Sequence, residues 1–206
     1  MEERELLSLS FLDGGFKISG DQLDIFHIYL RELKKWNKKV NLTGIEEGEE
    51  LIIKLFVDSA YPSRFIQKGS EVLDIGSGAG FPGLVLAILF PDTWFTLAEA
   101  RGKKASFLKR IVMLAGLQNV SVWEKFLGAT ESREEGLFDL VISRAAGKPV
   151  AMALLGSSYL KSGGRLLLMT GAVLDLDFPD LSAERITTYR LPGGFGERTL
   201  MVFKRI

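Results

Sequence analysis

Cysteine is absent from the 206 residues, and there is a single histidine, His27. The first absence removes disulfides, thiolate metal sites and cysteine nucleophiles. The second argues against a histidine-based metal centre or a Ser-His-Asp triad. Net charge is missing as well: 26 Lys+Arg balance 26 Asp+Glu. No global field therefore draws the chain to a polyanion or a membrane, and any contact with nucleic acid has to come from a local basic patch. The longest apolar run, residues 84–90, is far short of the ~20 residues that cross a bilayer. The opening Met1-Glu2-Glu3-Arg4-Glu5 is acidic and polar, unlike a secretory signal, so the cytoplasm is the expected location. Internal repeats and low-complexity segments are lacking too.

What is present is ordinary soluble composition, 47% apolar and 25% charged, enough for one domain with a modest extension. The chain is organised around residues 72–83, V-L-D-I-G-S-G-A-G-F-P-G. A short apolar run breaks into glycines and is followed by the apolar run 84–90, the pattern of buried strand, tight turn and helix. Gly76, Gly78 and Gly80 allow a sharp turn and a close backbone approach to a ligand. Pro82 suits the first position of the helix. Unpaired N–H groups there favour a polar or anionic, nucleotide-like ligand.

Before this stretch the chain reads as helices. A short one over 2–12 ends at Gly14-Gly15. A stronger one over 21–39 repeats Leu23, Phe26, Leu30 and Leu33 at helical spacing, with Trp36 near and His27 at the rim. Arg31, Lys34, Lys35 and Lys38 recur on another side, either as a solvated face or as a contact surface for RNA phosphates. Thr43-Gly44-Ile45-Glu46 has capping-box spacing and predicts a further helix over 45–59. Beyond residue 70, strands and helices alternate. Strands are expected at 94–98, 119–123, 138–143 and 165–169, and helices at 103–115 and 148–159. A closing hairpin, 186–191 and 199–204, surrounds the turn Pro192–Gly196. This is an α/β chain with a mostly parallel, doubly wound Rossmann-like sheet and a C-terminal antiparallel hairpin. Residues 1–68 form an N-terminal helical extension packed on a core of 69–206.

Three kinds of glycine loop compete. A P-loop would need Lys and Ser/Thr where Leu84-Val85 stand, and is rejected. A dinucleotide fingerprint is met formally by Gly78, Gly80 and Gly83, but begins too late after the strand. The third pattern, D-x-G-x-G-x-G, is met by Asp74, Gly76, Gly78 and Gly80, and resembles motif I of class I S-adenosylmethionine-dependent methyltransferases. A carboxylate in such a loop can accept from an ammonium or from loop N–H groups, whereas it would repel a pyrophosphate. Glu99, closing the second strand, stands where an acid meets ribose hydroxyls in either family, so it supports a ribose without choosing the cofactor.

Further segments narrow the resemblance. Trp36-Asn37-Lys38-Lys39-Val40-Asn41-Leu42-Thr43 resembles the W-N-x-x-x-N-L-T segment of the bacterial ribosomal RNA small subunit methyltransferase G family, also called glucose-inhibited division protein B. Asp58-Ser59 resembles its D-S-L, residues 76–83 its G-[ST]-G-x-G-x-P-G loop, Ser143-Arg144-Ala145 its S-R-A, and Glu197-Arg198-Thr199-Leu200 its E-R-x-L. The resemblance implies methyl transfer from S-adenosylmethionine to N7 of a guanine in 16S ribosomal RNA, free or in the small subunit particle, by a protein expected to be a monomer. Guanine N7 already presents a lone pair, so no dedicated base is required, and catalysis is mainly positioning and electrostatics. By resemblance the cofactor pocket takes Asp74, Gly76, Gly78, Phe81, Glu99, Leu127, Gly128 and Arg144, with Arg144 also positioning substrate. Leu127 and Gly128 fill the adenine-contact place when an insertion is set after them. RNA contacts fall to Arg31, Lys34, Lys35, Lys38, Arg101, Lys103 and Lys104, and no metal is implied. Leu55 and Thr170 stand where the family usually carries His and Lys. A nicotinamide-dependent oxidoreductase and a non-catalytic RNA- or ribosome-binding module are the alternatives.

Overall fold

The computed structural model describes residues 2–45, 48–128, 136–144 and 148–206. Two helices open it, α1 (Glu3–Asp13) and α2 (Gly20–Val40). A reciprocal capping box of Ser19 and Gln22 starts α2, and Asn41 in the left-handed conformation ends it. Next comes a continuous helical segment in three pieces: α3 (Glu49–Leu51), a π-helical stretch (Ile52–Val57) and α4 (Asp58–Ala60). It begins after Gly48, later than the spacing at Thr43 predicts. The Thr43 hydroxyl instead accepts from the N–H of Ile45, two residues on, a local turn rather than a cap. Glu46, the other half of the expected box, lies outside the described residues.

Among the described residues the sheet has seven strands: β1 (Glu71–Ile75), β2 (Trp94–Ala98), β3 (Val120–Trp123), β4 (Phe138–Arg144), β5 (Leu160–Thr170), β6 (Leu181–Arg190) and β7 (Glu197–Arg205). Their order is β3-β2-β1-β4-β5-β7-β6. The first five are parallel, and β7 inserts antiparallel between β5 and β6. Crossovers are made by α5 (Gly83–Leu89), α6 (Gly102–Ala115) and α7 (Pro149–Tyr159). β5 starts five residues before the expected 165: Gly163 and Gly164 lie inside it, next to a register shift against β4. Glycine weakens a strand without forbidding it, and neighbouring β4 supplies the pairing. Pro82 is the N-cap residue of α5 rather than its first helical position.

Alternation sends side chains to the two faces. Val72, Leu140, Ile142, Leu167 and Val202 join one core with Leu7, Phe11, Phe26, Tyr29 and Leu33 of the N-terminal helices and Phe107 of α6. Leu73, Val141, Leu166, Leu168 and Phe203 meet Ala153 and Tyr159 of α7 on the other. The sheet's order reverses between β1 and β4, and their carboxyl ends define the crevice where open α/β sheets bind ligands.

Candidate functional site

At that crevice lies a cleft of about 430 Å³, lined by Ile75, Gly76 and Gly78 of the β1 turn, Ala98 to Arg101 after β2, Lys104 of α6, Lys125 to Leu127 after β3, and Met152 and Leu155 of α7. The turn is shaped by its glycines: Gly76 and Gly78 have φ of 70° and 59°, values that side-chain-bearing residues rarely adopt. A Cβ on Gly78 would meet only the Gly76 carbonyl and the Lys104 ammonium near 4 Å, so this backbone is open to the cleft. The next two glycines serve packing. A Cβ on Gly80 would fall 2.5 Å from Leu84 and 2.6 Å from the Tyr29 hydroxyl, and one on Gly83 2.3 Å from Leu97 and 2.6 Å from the Asp74 carboxylate. In the formal G-x-G-x-x-G it is the second glycine, Gly80, that should approach a pyrophosphate, and here it is packed against Leu84 and Tyr29 instead.

Glu99 is buried and bridges two loops. One oxygen accepts from the N–H of Gly78 at 2.9 Å, the other from that of Arg101 at 2.8 Å. Each oxygen keeps a second lone pair, so the carboxylate still has room for a pair of hydroxyls. Asp74 lies beneath the loop rather than in the cleft lining. It accepts the Gly83 N–H at 2.9 Å through one oxygen, while the other is buried without a partner. Burial pushes its pKa up to about 6, against the opposing pull of the Gly83 N–H and the Arg144 charge.

Phe81 begins the next layer. Its ring stacks on Tyr29 at 5.3 Å and meets Phe56 edge-on at 5.1 Å. The Arg144 guanidinium sits 5.4 Å over the same ring, a cation–π geometry. Arg144, the last residue of β4, also donates to the Lys54 carbonyl at 3.1 Å and to Asp58 at 3.3 Å. Thus Gly76, Gly78, Glu99 and Leu127 line the cleft, whereas Phe81, buried in the aromatic core, Arg144, directed at Asp58, and Gly128, whose carbonyl accepts from Tyr159, are not among its lining residues. Ala145 lies outside the described residues. Leu55 is buried, and Thr170 donates to the Ala172 carbonyl.

The basic residues divide between two helices. Arg101 and Lys104 reach the cleft, with exposed Lys103 beside them. On α2, Lys34 pairs with Glu3 and Lys35 with Glu32, while Arg31 and Lys38 are exposed. Glu32 meets Arg110 and Trp36 meets Phe107, so α2 and α6 run antiparallel, and the basic end of α2 approaches the amino end of α6 at the cleft. Sequence reasoning missed Lys125, Phe126, Met152 and Leu155, which carry no motif and reach the site only through the crossovers. It also missed Tyr29 and Tyr189, whose neighbours are remote in sequence.

Solved structures share this fold. An S-adenosylmethionine-dependent methyltransferase from Aquifex aeolicus superposes with TM-score 0.60 at 15% identity, over 81% of this chain and 97% of that one. TYW2 of M. jannaschii, solved in complex with AdoMet, gives 0.56 at 15% identity, over 79% and 80%. At sequence level, ribosomal RNA small subunit methyltransferase G of Clostridium beijerinckii is 35% identical over 179 residues, 85% of this chain and 75% of the relative. The protein of that name from Francisella tularensis is 35% identical over 187 residues, 89% and 88%. The GidB family model, described as rRNA small subunit methyltransferase G, matches residues 22–188, and the chain belongs to that family.

Proposed function

We propose that this protein transfers a methyl group from S-adenosylmethionine to N7 of a guanine in 16S ribosomal RNA. The observation that carries the reading is the cleft at the sheet's switch point, where a glycine turn open to the ligand faces a buried acid that retains acceptor capacity. These residues fit S-adenosylmethionine. Glu99 would take the ribose hydroxyls, Leu127, Met152 and Leu155 offer an apolar wall for a flat base, and the Gly76–Gly78 backbone admits the amino-acid end. When bound, the cofactor supplies an electrophilic methyl on a sulfonium. Asp74 braces the turn through Gly83 and lends negative charge from below.

The remaining work is orientation. The N7 lone pair needs no base, and the one imidazole, His27, sits on α2 4.0 Å from Glu3. Arg144, over Phe81 at the carboxyl end of β4, is suited to guanine O6 and N7 or to a phosphate. Lys35, Lys38, Arg101, Lys103 and Lys104 would steer the RNA backbone. The helical extension 1–68 would add RNA-contacting residues while sharing its core with 69–206, in a cytoplasmic monomer. No helix among the described residues is long and apolar enough to cross a membrane.

The test is transfer of labelled methyl to small-subunit RNA from a strain lacking the modification, followed by chain cleavage specific for N7-methylguanine. Label at N7 is expected, and label at another position overturns the specificity. In calorimetry S-adenosylmethionine should bind and NAD should not. Glu99→Ala should weaken cofactor binding about 10- to 100-fold, the range of a lost charged hydrogen bond; unchanged affinity would remove Glu99 from the ribose site. No methyl transfer with cofactor bound would leave a non-catalytic RNA-binding module.

A further inference from the structure

Three of the sequence segments that suggested the family, Asp58-Ser59, Ser143-Arg144 and Glu197-Arg198, are up to 140 residues apart, yet they meet at one carboxylate. Asp58 is 3% exposed. One oxygen accepts from the Tyr189 hydroxyl at 2.8 Å. The other lies 3.3 Å from Arg144 Nη1 and 3.7 Å from Arg198 Nε. Tyr189 is held in turn by the ring of Tyr61, stacked at 3.8 Å. Burial, with Asp58 next, raises the Tyr189 pKa, so the phenol stays a neutral donor. The π-helical stretch 52–57 presents the Lys54 carbonyl to the same guanidinium, and such stretches are frequent at functional sites.

Charge counting gives the cluster a purpose. Among the ion-paired groups two guanidiniums face the one Asp58 carboxylate, an excess of one positive charge within the cluster. Asp74 feels the Arg144 charge without forming an ion pair with it among the described residues. Arg144 and Arg198 keep 16% and 28% of their side chains accessible, against 4% for Asp58. The acid is inside and the cations reach outward, at the carboxyl edge of β4 and the start of β7. We propose that Asp58 is a positioning residue that holds Arg144 and Arg198 side by side as a clamp for a phosphodiester of the RNA, with Tyr189 fixing the carboxylate's orientation. Planar guanidinium forks suit phosphate oxygens, and their geometry is lost when the anchoring acceptor is lost. The inference rests on the reading of the protein as an RNA methyltransferase.

The experiment compares Asp58→Asn, Tyr189→Phe, Arg144→Ala and the double variant Asp58→Asn/Arg144→Ala in the full chain. Asn keeps an acceptor for Tyr189 but turns a donor towards the arginines. Expected in Asp58→Asn are at least a tenfold fall in kcat/KM for small-subunit RNA, a fall in RNA affinity by filter binding, and cofactor affinity within twofold of wild type. The double variant should lose less than the product of the two single losses, because Asp58 acts through Arg144 as well as through Arg198. Tyr189→Phe should lose severalfold in RNA affinity with cofactor affinity kept, and it decides the matter if Asp58→Asn does not fold. Wild-type RNA affinity in Asp58→Asn, or in Tyr189→Phe, overturns the proposal, as do multiplying losses in the double variant. A wild-type protein that transfers no methyl to the RNA would sink the functional reading instead, and the filter-binding comparison still tests the clamp.

Discussion

Asp74 stands in the motif that identifies the loop, but the fold has placed it under the loop. It is 1% exposed, with one oxygen on the Gly83 N–H and the other unpartnered. A buried acid whose folded pKa is raised from 3.8 to about 6 costs stability when ionised. Below pH 4 it is protonated in both states and the cost vanishes. Between pH 4 and 6 the unfolded chain ionises first, so stability falls as pH rises, and above 6 the cost is constant at about 3 kcal/mol. The stability difference between Asp74→Asn and wild type should therefore grow from pH 4 to 6 and then level off in urea titrations; a flat difference would place the carboxylate in a less buried setting. Gly83 tests the same contact from the other side. Gly83→Ala puts a Cβ 2.3 Å from Leu97 and 2.6 Å from Asp74, which should destabilise by about 1–3 kcal/mol through overpacking. An unshifted denaturant midpoint would show that the helix start can retreat. At this scale the glycine turn and the place of Glu99 in the cleft were legible, because backbone freedom and charge are properties of single residues. That Asp74 braces rather than lines was not, since both arrangements share one sequence.

Among the elements, α2 shows how a motif can serve architecture and recognition together. Trp36 packs on Phe107 at 5.6 Å. The Asn37 side chain accepts from the N–H of Thr43 at 2.9 Å and donates to its carbonyl at 3.1 Å, and Asn41 takes the left-handed C-cap with φ 52°. The W-N-x-x-x-N-L-T segment is thus a helix terminus, with the side chains that satisfy its backbone and seat it on α6. Seating α2 there aligns its lysines with those of α6. Replacing Lys35, Lys38 and Lys103 together by Ala should weaken RNA binding at low salt and flatten the slope of log Kd against log salt by about 2–3, near one counterion per lysine, with cofactor affinity unchanged. An unchanged slope would move the RNA track elsewhere on the surface. Periodicity sufficed for α2 and for the existence of the strands and the closing hairpin, though β6 begins at Leu181, five residues before the expected 186. It missed the π-helical stretch 52–57 and the early start of β5, because both depend on partners from distant chain: Arg144 for the first and β4 for the second.

For the whole molecule the telling feature is how little the N-terminal helices resemble an appendage. Seven side chains of α1 and α2, Leu7, Phe11, Leu23, Phe26, Tyr29, Leu30 and Leu33, are at most 8% exposed, and they pack in one core with Phe56, Phe81, Phe107 and the sheet. Phe11 stacks on Phe26 at 4.8 Å, Phe26 meets Phe56 at 6.1 Å, and Tyr29 bonds through its hydroxyl to the Ala79 carbonyl inside the glycine loop. Composition changes near residue 70, from helices to alternating strands, and invites a boundary there; burial does not respect it. At about 1.5–3 kcal/mol per side chain, exposing these seven forfeits about 10–20 kcal/mol, against a typical total stability of about 5–15 kcal/mol. Deleting residues 1–44 should therefore abolish the cooperative thermal transition, and with it S-adenosylmethionine binding, because the loop that admits the cofactor leans on Tyr29. A milder variant separates the two effects. Tyr29→Phe keeps the ring on Phe81 and removes only the hydroxyl, so it should retain the fold with a stability loss of about 1 kcal/mol and a measurable loss of cofactor affinity. A truncated chain that melts cooperatively and binds the cofactor at wild-type affinity would show that residues 1–68 are a detachable docking module after all, with the catalytic unit complete in 69–206.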